Sequence, residues 1–160
     1  MKKTLYIIPG WGEYSRYKIY QSLAVLAKKK GYSVVFYDVD WNKSLSSQIF
    51  PVKKSDVIFG FSLGAIFGHL IAQKYECNKL ILASMTPLYS FKDKKIKKQL
   101  VDLLGKVFIE DVAKKLTSKH WAKKQVIIYG DQEDEPGDII IPRTGHRLNA
   151  RYNKTIIELL

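Results

Sequence analysis

The chain has 160 residues, of which 46% are hydrophobic, and this is enough for one full hydrophobic core. We therefore expect a single domain over residues 1–160. The net charge of +12 comes mostly from lysine, because only four of the 27 basic residues are arginine. Nucleic-acid readout favours the arginine fork, so we attribute the charge to a solvated surface and expect no nucleic-acid partner.

The cysteine count and the hydropathy of the chain indicate its cellular compartment. Cys77 is the one cysteine, which excludes an intramolecular disulfide and predicts a free buried thiol in a reducing compartment. The apolar run near the N-terminus breaks at Pro9 and is too short for a signal peptide. No apolar run approaches the roughly 20 residues of a membrane span. We expect a cytoplasmic protein without a membrane span.

Strands and helices alternate in the first half of the chain. Runs of β-branched and aromatic residues predict strands, and apolar residues at helical spacing predict helices. The predicted order is a strand at 4–8, a helix ending near Gly31, a strand at 33–40, a short helix at 45–50, a strand at 56–61, a helix at 63–75 and a strand at 79–84. The strand at 33–40 is apolar enough to be covered on both faces.

The second half continues the alternation after a lysine-rich interruption. Residues 85–124 hold two helical stretches, and strands are predicted at 125–130 and 138–142, followed by a last helix to residue 160. Alternating strands and helices predict an α/β fold with a doubly wound, mostly parallel sheet of about six strands and helices on both faces.

The most informative stretch runs from the strand at 56–61 into the following helix. Residues 60–64 read Gly-Phe-Ser-Leu-Gly, the pattern of a nucleophile elbow. Glycine two positions on either side of Ser62 allows the close backbone packing that a sharp strand-to-helix turn requires. The turn places the serine at a helix N-terminus, where the N–H of Leu63 can face a developing oxyanion.

Other candidate residues also follow strands. Residues 9–12 (Pro-Gly-Trp-Gly) follow the first strand, the acidic run at 131–135 follows the fifth, and residues 144–146 (Thr-Gly-His) follow the sixth. The carboxyl ends of parallel strands meet at one edge of a sheet, which is where such folds build their sites. The order along the chain is serine, acid, histidine.

Together these four motifs resemble the α/β-hydrolase superfamily, in particular its small cap-less bacterial serine hydrolases and esterases. The resemblance covers essentially the whole chain. Residues 9–12 look like the family's His-Gly-x-Gly oxyanion loop, with Pro9 in place of the usual histidine. The strand end at Tyr129 and Gly130, followed by acids, and the Thr-Gly-His motif at 144–146 complete the pattern.

The resemblance implies a mechanism and assigns its residues. Ser62 would be the nucleophile, and His146 would act first as base toward Ser62 and then as acid toward the leaving group. The backbone N–H groups of Trp11 and Leu63 would form the oxyanion hole. No cofactor is implied, and no ligand spacing in the sequence indicates a metal.

The acid that orients the histidine is ambiguous. The family usually places this carboxylate three residues after the glycine that ends the strand, which gives Glu133. Asp134 lies one residue further on and is the residue type that the family uses more often, while Asp131 lies too close to the strand end to reach easily. We narrowly favour Asp134, with Glu133 as the alternative.

Two functions remain open. The first is a serine hydrolase that cleaves an ester, thioester or amide of a small acyl substrate. The alternative is a non-catalytic binding protein that kept the α/β-hydrolase fold with a degraded triad, because the acid is ambiguous and the oxyanion loop lacks its histidine. The sequence indicates neither the substrate nor the oligomeric state.

The segment at 85–124 occupies the position of the family's cap and is too short for a full lid. We therefore expect an open, shallow site, with two helices beside the sheet. Its apolar lining is predicted to include Trp41, Leu88, Tyr89 and Phe91.

Three of the four arginines, Arg143, Arg147 and Arg151, flank His146. If the last helix begins by Asn149, Arg147 and Arg151 share a face, and a guanidinium fork there would favour an anionic substrate. The competing interpretation places these arginines on the solvated outer face. The two other histidines, at 69 and 120, are interpreted as helix-surface or interhelical residues.

Overall fold

A computed structural model describes residues 3–160, and within this range six strands form one parallel sheet. The strands are β1 (Thr4–Ile8), β2 (Ser33–Phe36), β3 (Val57–Phe61), β4 (Cys77–Ala83), β5 (Ala122–Gly130) and β6 (Ile139–Ile141). The helices are α1 (Lys18–Lys29), α2 (Leu63–Lys74), α3 (Lys94–Leu104), α4 (Lys106–Lys115) and α5 (Ala150–Leu159), with short 3₁₀ turns at Ser46–Gln48 and Leu88–Phe91. The predicted fold class is confirmed.

The strand order is β2-β1-β3-β4-β5-β6, and both faces of the sheet are covered. On one face, α1 and α5 contribute buried side chains that include Tyr20 and Tyr152. On the other face, α2 packs directly on the sheet and α4 packs over it. Ten of the twelve residues of α2 are buried, which explains why this helix is apolar nearly all round.

The second strand differs from its prediction. It ends at Phe36 rather than at residue 40, and it pairs only with β1, at the edge of the sheet. Val35 is 42% exposed, so this strand is not covered on both faces. Beyond the strand, the Asp38 carboxylate accepts hydrogen bonds from the N–H and the hydroxyl of Ser15, and these bonds hold the chain in a loop.

The two helices predicted in the segment at 85–124 are present as α3 and α4. Phe108, Ile109 and Val112 of α4 are buried in the same core as α2, whereas α3 has no buried residue. A hydrogen bond of 2.7 Å between the Ser46 hydroxyl and Asp111 also fixes α4 beside the sheet. No helix in the described range is long and apolar enough to cross a membrane.

Candidate active site

The turn that joins β3 to α2 holds Ser62 in an unusual backbone conformation. Its φ is 55° and its ψ is −122°, a region that non-glycine residues rarely adopt. Two backbone hydrogen bonds hold this conformation: Ser62 N–H donates to the carbonyl of Ala83 at 2.9 Å, and Ala65 N–H donates to the carbonyl of Ser62 at 3.0 Å. The serine therefore lies at the carboxyl edge of the sheet, at the start of α2.

The glycines of this turn are required by close backbone packing. A Cβ on Gly60 would lie 2.3 Å from the carbonyl oxygen of Gly64, and a Cβ on Gly64 would lie 2.3 Å from the carbonyl oxygen of Pro9. Both distances are far inside van der Waals contact with backbone atoms, which cannot move aside as a side chain can. The Gly-x-Ser-x-Gly pattern thus serves the packing of α2 against β1 and β3.

We expect the substitution Gly64→Ala to lower the free energy of unfolding by about 3 kcal/mol, as overpacking against backbone does. Gly68→Ala in the same helix is the matched control, because its Cβ would meet side chains and no backbone, the nearest being that of Ile58 at 3.1 Å. That variant should stay within about 1 kcal/mol of the wild type, since alanine also favours the helix. Urea unfolding of both variants measures the difference, and equal midpoints would contradict the packing argument.

Ser62, His146 and Glu133 form a continuous chain of hydrogen bonds. Ser62 Oγ lies 2.8 Å from His146 Nε2, and His146 Nδ1 lies 2.8 Å from Glu133 Oε1. An ionised carboxylate only accepts hydrogen bonds, so Nδ1 is the donor to Glu133, and Nε2 keeps its lone pair toward the serine hydroxyl. This arrangement has the geometry of a serine–histidine–acid triad.

The acid that contacts His146 is Glu133, the alternative, and not Asp134. Gly130 N–H donates to Glu133 Oε2 at 2.7 Å, and Glu133 N–H donates to the carbonyl of Gly130 at 3.1 Å, which curls the loop back onto the strand end. Asp134 then has a φ of 54°, and it lines a separate surface depression together with Pro136. The preference for Asp134 is therefore corrected in favour of Glu133.

Asp131, which we expected to lie too close to the strand end to reach the histidine, contacts the backbone of a neighbouring loop. Its carboxylate accepts hydrogen bonds from the N–H groups of Arg143, at 2.8 Å, and Thr144, at 2.9 Å. These bonds tie the end of β5 to the loop that precedes His146.

Two residues that the sequence did not single out hold Glu133 in place. The Ser84 hydroxyl donates to Glu133 Oε2 at 2.7 Å, the Tyr152 hydroxyl donates to the same oxygen at 3.0 Å, and the two hydroxyls lie 2.6 Å apart. The Glu133 side chain is only 7% exposed, whereas that of His146 is 54% exposed. The one feature of the sequence that could have indicated a contact with Glu133 is the position of Ser84, which directly follows β4 at the carboxyl edge of the sheet.

The surroundings of Glu133 keep it ionised. Burial alone would raise its pKa, but the hydrogen bonds from His146, Gly130 N–H, Ser84 and Tyr152 outweigh burial and hold the pKa below its ordinary value. A carboxylate whose pKa is lowered on folding contributes stability at higher pH and loses that contribution as the pH falls.

We therefore expect wild-type protein to lose stability relative to Glu133→Gln as the pH drops below the ordinary glutamate pKa of about 4.3. The measurement is urea unfolding of both proteins at a series of pH values from neutral to acidic. Parallel stability curves for the two proteins would contradict the lowered pKa.

The oxyanion-hole candidates flank the turn at Ser62: Leu63 follows it in the chain, and Trp11 follows Gly10, where an added Cβ would lie 3.1 Å from the Cβ of Ser62. Among residues 3–160, neither Trp11 N–H nor Leu63 N–H has a hydrogen-bond acceptor, so both donors are free. Glu13 shapes the loop that carries Trp11, because its carboxylate accepts hydrogen bonds from Gly10 N–H, at 3.3 Å, and from the hydroxyl of the fully buried Tyr20. These contacts hold the loop at residues 9–12 in place.

A cavity of about 320 Å³ opens beside the triad. It lies between the loop after β4 and the loop after β5. Its lining residues are Ser84, Met85, Thr86, Pro87, Tyr129, Gln132, Glu133, Glu135 and His146. The Tyr89 hydroxyl donates to Glu135 and so links the two loops at the rim of the cavity.

The apolar residues expected to line the site lie elsewhere. Leu88, Tyr89 and Phe91 line a separate cavity of about 220 Å³ against α4. Trp41 packs against Phe108, with 6.0 Å between ring centroids. The 3₁₀ turn at Leu88–Phe91 places Leu88 and Phe91 near α4, and Tyr89 reaches the cavity beside the triad only through its hydrogen bond to Glu135. The lining of the site is therefore more polar than predicted.

The arginines do not form an anion site on a helix face. The last helix begins at Ala150, so Arg147 lies outside it and shares no helical face with Arg151. The guanidinium of Arg151 donates to the carbonyls of Pro142, at 3.1 Å, and Arg143, at 3.2 Å. No arginine lines the cavity beside the triad.

The remaining reactive side chains lie away from the triad. His69 Nε2 contacts the carbonyl of Thr117 at 2.7 Å, and burial lowers the pKa of this histidine. His120 lies beside it, with 5.9 Å between the ring centroids. Cys77 is buried and free, as predicted, and burial raises the pKa of its thiol to about 12. In the described part of the chain, no group of three or more His, Cys, Asp or Glu residues could hold a metal ion.

Comparison with known proteins finds similarity in structure and not in sequence. No protein-family model matches the chain, and no curated protein matches it. Est1E from Butyrivibrio proteoclasticus superposes with a TM-score of 0.71 at 15% identity, over 99% of this chain and 85% of that one. Alpha/beta hydrolase domain-containing protein 10 from mouse has a TM-score of 0.66 at 11% identity, over 98% and 87%.

A third similar structure is methylketone synthase I from tomato in complex with beta-ketoheptanoate, with a TM-score of 0.66 at 12% identity, over 99% of this chain and 98% of that one. These similarities show that the chain has the α/β-hydrolase fold, and the predicted resemblance is confirmed at that level. Since this third protein is named as a synthase, the fold alone does not define a reaction, and the function must be argued from the site.

Proposed function

We propose that the protein is a serine hydrolase that cleaves an ester, thioester or amide of a small acyl substrate through an acyl-enzyme. The observation that carries this proposal is the chain of two 2.8 Å hydrogen bonds from Ser62 through His146 to Glu133. The strained backbone of Ser62 and the free N–H groups beside it support the same reaction class.

In the first half of the reaction, Ser62 Oγ bonds to the substrate carbonyl carbon while its proton passes to His146 Nε2. The negative charge that develops on the carbonyl oxygen is stabilised by the N–H groups of Trp11 and Leu63. Glu133 stabilises the imidazolium, and its lowered pKa keeps it ionised for this role. The tetrahedral intermediate then collapses, and His146 gives its proton to the leaving group.

The second half repeats these steps with water. His146 takes a proton from a water molecule, whose oxygen bonds to the acyl carbon. The bond between that carbon and Ser62 Oγ then breaks, the proton returns from His146 to Ser62, and the carboxylic acid leaves. None of these steps requires a cofactor.

The contacts around the site favour this function over a non-catalytic binding protein. That alternative depended on an ambiguous acid and on a missing histidine in the oxyanion loop. Glu133 contacts His146 directly, and Glu13 with Tyr20 holds the loop instead. The free buried thiol of Cys77 supports the further proposal that the enzyme works in a reducing compartment, the cytoplasm.

The test is hydrolysis of a panel of small p-nitrophenyl esters, thioesters and anilides. We expect saturable turnover of at least one of them, with an initial burst of p-nitrophenol where breakdown of the acyl-enzyme limits the rate. Small substrates should be preferred, because the cavity beside the triad is only about 320 Å³. A folded protein that hydrolyses none of the panel would contradict the proposal.

A further inference from the structure

We propose that the cavity beside the triad receives a positively charged leaving group and that Glu135 is the residue that selects it. This proposal rests on the hydrolase function proposed above and specifies its substrate class. It reverses the preference for anions that the arginines near His146 suggested.

The first argument is the charge of the lining. None of the nine lining residues is lysine or arginine, and two of them are glutamates. This is notable in a protein with a net charge of +12. In the described part of the chain no lysine or arginine forms an ion pair with Glu135, and its one hydrogen-bond donor is the hydroxyl of Tyr89.

Glu133 and Glu135 differ in what they can offer a substrate. The carboxylate of Glu133 is nearly fully buried and is occupied by His146, Gly130, Ser84 and Tyr152. Glu135 is half-buried in the lining of the cavity, with one carboxylate oxygen not engaged by Tyr89. A cation that enters the cavity therefore meets Glu135.

The two carboxylates also affect the pKa of a tyrosine in the wall of the cavity. Tyr129 lines the cavity, and its hydroxyl donates to the carbonyl of Met85 at 2.6 Å. Its pKa is raised first by burial and then by the charges of Glu135 and Glu133. Negative charge that disfavours a tyrosinate at this wall favours a cation in the adjoining space.

The position of His146 indicates which part of the substrate occupies the cavity. His146 lines the cavity, whereas the oxyanion-hole candidates Trp11 and Leu63 do not. The histidine must deliver its proton to the leaving atom, so the leaving group lies on the histidine side of the scissile bond. We therefore place the cation in the leaving group, as an alcohol or thiol that carries an ammonium group.

The test compares two thioesters of the same shape, acetylthiocholine and S-(3,3-dimethylbutyl) thioacetate, in which a trimethylammonium group replaces a tert-butyl group. At low salt we expect kcat/KM to be about fivefold higher for the cation, the factor that one partly exposed charge pair provides. The ratio should fall toward one at high salt. In Glu135→Gln it should be close to one.

Asp134→Asn is the matched control, because it removes the same charge from the neighbouring position, which does not line this cavity. It should keep the about fivefold ratio. Asparagine also tolerates the positive φ of this position. Equal kcat/KM for the two thioesters in wild type, or an unchanged ratio in Glu135→Gln, would overturn the charge proposal and leave the hydrolase proposal intact.

A binding measurement separates the two proposals if neither thioester is hydrolysed. NMR titration of the Ser62→Ala variant with choline and with 3,3-dimethylbutanol requires no catalysis. Tighter binding of choline, weakened by Glu135→Gln in the same background, would support the charge selectivity of the cavity. Equal binding of the two compounds, or no binding of choline, would overturn it.

Discussion

Replacing Ser62 with alanine is expected to lower kcat for a small ester by about 10⁴-fold to 10⁶-fold, the loss that removal of a triad nucleophile causes. The substitution removes the atom that would form the acyl bond, and the oxyanion donors at Trp11 and Leu63 remain. Alanine replaces serine at the same backbone strain, so the fold should persist. Stopped-flow and steady-state assays of the two proteins measure the loss, and urea unfolding checks the fold.

His146→Ala provides the control for this prediction. Residues that act as one unit have non-additive effects, so the double variant with Ser62→Ala should be about as slow as either single variant. Independent losses that multiply in the double variant would contradict a shared proton transfer. A Ser62→Ala variant that keeps activity within about tenfold of the wild type would exclude Ser62 as the nucleophile.

Glu133→Gln is expected to lower kcat by about 10⁴-fold, as the corresponding amide substitution does in a serine protease triad. A glutamine amide can donate to His146 Nδ1, which then takes the acceptor role and places the ring proton on Nε2. In that tautomer Nε2 cannot accept the serine proton. The loss should appear in kcat more than in KM, because Glu133 orients the ring and its carboxylate oxygens are occupied by protein donors.

Asp134→Asn is the neighbouring control and should change kcat by less than about threefold, since Asp134 makes no hydrogen bond to His146. Steady-state kinetics of the two variants on one ester compares the candidate acids directly. The opposite result, a large loss in Asp134→Asn and a small one in Glu133→Gln, would restore the acid that the sequence narrowly favoured.

The positions of Ser62 and His146 at one edge of the sheet were accessible from sequence because local rules define them. A serine between two glycines, after a buried strand and before an apolar helix, satisfies a steric requirement that acts within five residues. The placement of Ser62 beside His146 then follows from the parallel sheet, which brings the carboxyl ends of β3 and β6 to one edge.

The carboxylate that contacts His146 was not accessible in this way, because the choice depends on backbone angles inside a short loop. The positive φ of Asp134 turns its side chain away, and the extra methylene of Glu133 lets its carboxylate reach both Gly130 and His146. The residue type that the family uses more often favoured Asp134, but the geometry of the loop brings Glu133 to His146 instead. Counting three residues from Gly130 gives Glu133, the residue that contacts His146.

Contacts between distant parts of the chain were also beyond the sequence. Ser84 and Tyr152 lie 49 and 19 residues from Glu133 and meet it only in the folded protein. The edge position of β2 depends on strand order, which alternation of elements does not reveal. The start of the last helix depends on Asn149, whose side chain caps the first turn and leaves Arg147 outside it.

We propose that Ser62 is an activated nucleophile in a Ser62–His146–Glu133 triad. Covalent labelling with a fluorophosphonate probe, followed by intact mass and peptide mapping, tests it without knowledge of the substrate. We predict one adduct per chain, on Ser62, absent in Ser62→Ala and formed far more slowly in Glu133→Gln. A folded wild-type protein that stays unlabelled, or that is labelled at another residue, would contradict the claim.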